Sequence, residues 1–109
     1  MTAKAIRAEI APGAVFDVTN HYITRPDHPC HGTQRRSIVR ANSAAFYVSL
    51  EGVPGHTESR VDWPRASQIE RDPDGTIRLY GGGAAQGPGE LFLTLKPVPG
   101  QLQLHAATS

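Results

Sequence analysis

Between His21 and His31 the chain gathers its most chemically versatile side chains: His21, Asp27, His28, Cys30 and His31. These residue types bind Zn²⁺, and four such donors close a tetrahedral site. The spacing opposes it. Structural zinc sites use knuckles such as C-x2-C, in which two ligands converge, whereas Cys30 and His31 are adjacent and tend to point apart. No second pair completes a knuckle. The same loop offers a Cys30–His nucleophile pair, but with no recognisable orienting partner and no family signature. The cluster therefore reads as a polar loop that contains histidines, with no metal or cofactor implied.

A second group overlaps it. Tyr22, Arg25, Arg35, Arg36 and Arg40, with His28 and His31 in the same loop and Tyr47 on an adjoining strand, combine cations with aromatic rings. Single-stranded nucleic acid is bound by this combination, charge following the backbone and rings stacking on bases. Protein interfaces use it equally, as hot spots. The bland alternative is a solvated strand face. Residues 21–42 carry four Arg against Asp27, whereas residues 51–90 carry seven acids against four Arg. Three Arg on phosphates give a salt slope near −2.7, so fourfold more salt costs only about 40-fold in affinity. With an acidic remainder opposing a polyanion, nucleic-acid binding by a monomer is expected to be weak.

Two further features carry little chemistry. Gly81–Gly89 is rich in glycine, but a phosphate-cradling loop needs a helix N-terminus after it, and here Gly87 is followed by Pro88 and then a strand. It reads as a connector. Trp63, the single Trp, stands beside Pro64 at a strand end or corner. Burial in the core is the better expectation for it, and an aromatic groove for extended peptides the alternative.

The elements that must position these residues are short strands. The clearest is a hairpin around Asp72-Pro73-Asp74-Gly75: proline presets φ, Asp72 bonds back to nearby amides, and Gly75 takes the left-handed conformation without steric cost. Ala66–Arg71 and Thr76–Tyr80 form its arms, with Ile77 and Leu79 alternating against polar neighbours. Residues 4–11 are ambiguous, since Ile6 and Ile10 fit one helical face and Ile6, Ala8 and Ile10 one strand face. Eight residues ending at Pro12-Gly13 are short for a helix, so a strand is expected. Further strands are expected at 14–20, 35–41, 45–50 and 91–96, with loops at 21–34 and 51–58. The 21–34 loop is long for a compact domain, and such loops are usually functional or mobile.

A chain of 109 residues makes one domain, here residues 1–97 followed by a frayed tail at 98–109. Eleven Gly and nine Pro exceed what a helical domain tolerates. Six or seven short strands without a substantial helix predict an all-β fold, either an SH3-like barrel or a barrel-like sandwich. One Cys excludes an internal disulfide, no apolar run approaches the length of a membrane span, and no signal-peptide core opens the chain. A cytoplasmic protein with no membrane association is expected. Nine Arg against two Lys reflect a GC-rich, bacterial or phage source better than selection at a surface.

The sequence reading is a small, non-enzymatic binding module acting through the exposed basic loop 21–36, its partner another protein. A compact binder of this size would suit a phage or mobile-element accessory or inhibitor protein. A weak RNA- or DNA-binding barrel is the alternative, and a zinc- or cysteine-dependent enzyme the third reading. Composition sets no oligomeric state.

Overall fold

Thr2 opens the first element: its hydroxyl accepts from the Ala5 amide at 3.2 Å and caps helix α1, Ala3–Glu9. The strand expected at 4–11 is therefore a helix. Ala3, Ala5 and Ala8 favour it, and Ile6 and Ile10, one turn apart, both reach the core. The structure, a computed structural model, describes residues 2–21, 23–28, 30–81 and 90–98. Tyr22, the body of the expected connector (82–89) and the expected tail from residue 99 onward lie outside the described residues.

The strands that follow are β1 (Val15–Asn20), β2 (Gly32–Ala41), β3 (Ala45–Ser49), β4 (Glu58–Asp62), β5 (Ile69–Arg71), β6 (Ile77–Gly81) and β7 (Glu90–Pro97). They form one antiparallel sheet in the order β4-β3-β2-β1-β7-β6-β5. Consecutive strands are neighbours within β1–β4 and within β5–β7, and β7 returns to lie beside β1. The all-β expectation holds. The SH3-like barrel is not confirmed, because the sheet does not close: β4 and β5 are its two edges, and residues 63–68 cross from one to the other.

Two other boundaries differ from expectation. The loop after β1 ends at His31, since Gly32, Thr33 and Gln34 pair with Asn20, Thr19 and Val18. The Thr19 and Thr33 hydroxyls bond across that pair at 2.7 Å. Polar residues with no alternation give no local sign of a strand; the partner strand decides it. On the other side, Ala66–Gln68 is a turn of 3₁₀ helix, and only Ile69–Arg71 pairs in the hairpin. The hairpin turn itself is as expected. Gly75 has φ +93°, its amide donates to Asp72 O at 3.0 Å, and Thr76 N donates to Asp74 Oδ1 at 2.9 Å.

The sheet bends around a single core. Phe46 and Val48 from β3 pack in the same cluster as Ile69 from β5 and Ile77 and Leu79 from β6, and α1 adds Ile6 and Ile10. The helix is tied to both wings of the opening: Arg7 Nη2 donates to Pro64 O at 3.0 Å, and Arg71 Nε donates to Glu9 Oε1 at 2.9 Å. Trp63 stacks on Phe46 with ring centroids 4.8 Å apart, while its indole N–H donates to Asn42 O at 2.7 Å. Among the described residues no helix is long and apolar enough to cross a membrane.

Candidate functional site: a cleft floored by Arg36

The direction of each side chain on β2 follows from strand parity. Ile38 is turned into the core at 2 % exposure, and Arg36, two residues earlier, shares its face. Arg35 points the other way. Between Ile38 and Arg40 the register against β3 shifts, so Val39 and Arg40 both reach the outer surface, Val39 at 45 % exposure. Arg36 thus sits above Ile38, beside Phe16 of β1, where the packed core gives way to an open cleft.

The cleft holds about 800 Å³ and draws its walls from β1–β4, β6 and β7, from the loop after β1, and from the 63–68 crossing. Val18, Val48, Leu50, Val61, Phe92 and Leu93 supply apolar surface, and Trp63 closes one wall. Arg36 lines it at 6 % exposure. Its guanidinium donates to the Gln34 side-chain oxygen, and among the described residues no carboxylate comes within ion-pair distance of it. An ionised group held this far from water is costly unless paired. Arg60 and Arg65 also border the cleft; Arg60 pairs at 2.8 Å with Asp62, the one acid among the described lining residues, so Arg36 and Arg65 leave the lining net cationic. Tyr80, another lining residue, keeps its phenol proton more firmly than usual, first through its hydrogen bond to Glu70 and then through loss of solvent.

The sequence-predicted residues are divided by this geometry. Arg36 belongs to the cleft and is buried, so it is no part of an exposed basic loop. His28 and Cys30 lie on the cleft wall. Arg25, Arg35 and Arg40 are on the outer surface, each already facing a carboxylate: Arg25–Asp27 at 3.0 Å, Arg35–Asp17 at 3.2 Å and Arg40–Glu58 at 2.6 Å. Arg40 also covers the Tyr47 ring at 3.9 Å. Hydrogen bonding to Glu58 raises the Arg40 pKa, and hydrogen bonding to Asp62 raises that of Arg60, so both stay cationic. His31 is exposed.

The residues singled out for metal chemistry are dispersed onto different partners. His21 bonds through Nε2 to Thr94 Oγ1 of β7 at 2.7 Å, and His28 Nδ1 accepts from the backbone amide of Cys30 at 3.0 Å. Among the described residues no three His, Cys, Asp or Glu side chains converge. Missing from the sequence reading were Val48, Val61 and Phe92 as cleft residues, and Gln34 as the partner of Arg36. Parity on β2 was the only signal for Gln34 and Arg36, and Ile38 next to Val39 left it open; Val48, Val61 and Phe92 stand on β3, β4 and β7, which meet at the cleft only through tertiary pairing.

No protein-family model, curated protein or solved structure matches this chain.

Proposed function

We propose that the protein is a non-enzymatic binding module whose ligand enters the concave cleft rather than resting on the outer basic loop. One observation supports this above others: an indentation of about 800 Å³, walled by most strands of the sheet and by the single Trp. Ligand sites are typically concave, of about 300–1,000 Å³, and mostly apolar with a few placed polar groups. The outer Arg residues favour the loop less, because Asp17, Asp27 and Glu58 already neutralise three of them.

The test fills the cleft. Ser59 faces it from β4, opposite Val48. A thermal-shift screen of small apolar compounds on the full chain is expected to yield stabilising binders that Ser59→Trp no longer recognises. Binders that survive Ser59→Trp unchanged would move the site elsewhere.

A protein partner on the outer face of β2 and β3 is the second reading. Val39, the one exposed large hydrophobic residue among those described, lies there beside the Arg40–Tyr47 stack. Loss of a captured partner on Val39→Glu with an intact fold would favour that face.

A further inference from the structure

We propose that the ligand of the cleft is an apolar molecule bearing one terminal carboxylate, and that Arg36 receives that carboxylate; this rests on the cleft being the binding site. Arg36 is more than nine-tenths buried, faces the cleft, and has the neutral Gln34 amide as its side-chain partner. Every ion pair among the described residues involves other arginines. A guanidinium in this position offers two parallel N–H groups to a planar anion, and pairing it there offsets the cost of its burial. Position limits the ligand's shape. Arg36 is in the middle of the sheet, next to Phe16 and above Ile38, so only an end group that leads the rest of the molecule inward reaches it. An acidic side chain in the middle of a polypeptide would have to carry its polar backbone down with it. The body of the ligand then lies along Val18, Val48, Leu93 and the Trp63 wall. One guanidinium beside a neutral amide balances a single charge, which favours a carboxylate over a doubly charged phosphate monoester. Arg65 at the border attracts an anion before it enters, Arg60 being already paired with Asp62 at 2.8 Å.

The experiment compares two matched pairs of probes on the full chain at neutral pH: decanoate with 1-decanol, and 2-naphthoate with 2-naphthol. Trp63 fluorescence reports occupancy, since it is the only Trp and lines the cleft, and calorimetry checks the affinities. Each carboxylate is expected to bind about 10- to 100-fold more tightly than its neutral partner. Arg36→Met should abolish that preference while leaving the neutral probes bound. Arg36→Lys, which keeps the charge but loses the planar fork, should retain part of it. Lys96→Met, removing an exposed cation from β7, should change nothing. Equal binding within each pair by the unaltered chain would overturn the carboxylate assignment and leave the cleft standing as an apolar site. Failure of all four probes to bind would overturn both. A carboxylate preference that survives Arg36→Met would assign recognition to another cation and refute the role of Arg36.

Discussion

Arg35 and Arg36 are neighbours in sequence and occupy opposite faces of the sheet. Arg35 faces outward onto Asp17 at 3.2 Å, whereas Arg36 is 6 % exposed and faces the cleft. Two residues that share a charge and a position in the chain therefore have unlike energetics.

Arg36→Met should leave the ligand-free protein at least as stable as before, because it removes an ionised group that lacks a carboxylate partner and keeps most of the side-chain volume. Arg36→Glu should cost about 1–3 kcal/mol, burying an acceptor-only group beside the Gln34 oxygen. Urea unfolding of both variants checks the pair. Arg35→Met, altering an exposed ion pair, should move stability by no more than about 1 kcal/mol.

Gly75 holds the tightest position in the hairpin. Its φ is +93°, and a Cβ there would lie 2.9 Å from Pro97 Cγ. Gly75→Ala should therefore destabilise the fold through strain and a clash together, and Gly75→Val by more, within about 1–3 kcal/mol. A shift in the thermal midpoint, read by circular dichroism, measures it.

Trp63 joins the helix, the crossing and β3. It stacks on Phe46, donates to Asn42 O, and lies under the Arg7 guanidinium at 5.1 Å. Trp63→Ala should cost about 2–4 kcal/mol. Trp63→Phe, which keeps the ring but loses the N–H donor, should cost about 1 kcal/mol. Chemical denaturation distinguishes the two.

Asp74 sets a dependence on acid. Its carboxylate accepts from the Thr76 backbone amide first and the Thr76 hydroxyl second, and both hold its pKa below the ordinary 3.8. A lowered folded pKa means that the stabilisation is fully present above 3.8 and is lost as pH falls through the folded value. Asp74→Asn keeps an acceptor for Thr76 and removes the titration. Its melting temperature should fall less steeply than that of the unaltered protein as pH drops below 3.8, measured by thermal melts across the acid range.

Local chemistry alone determined much of the fold. The Asp72–Gly75 turn, the alternation of Phe16 with Val18, and that of Ile77 with Leu79 each reflect neighbours in the chain, so β1, β6 and the hairpin were legible in the sequence. The helix at Ala3–Glu9 was not. Ile6 and Ile10 satisfy both periods, and their choice depends on contacts with β5 and the core, together with the Thr2 cap. Gly32–Gln34 and Glu58–Asp62 became strands by pairing with Val18–Asn20 and Ala45–Ser49, which polar residues do not announce in advance. The cleft depended most on tertiary structure. Ile38 and Val39 are both apolar, and each parity of β2 buries one of the two adjacent arginines. Packing Ile38 against Val48 placed Arg36 inside and Val39 outside, and the bulge brought Arg40 to the outer surface as well. Side-chain direction in a strand is fixed by register, and register is set by partners distant in sequence.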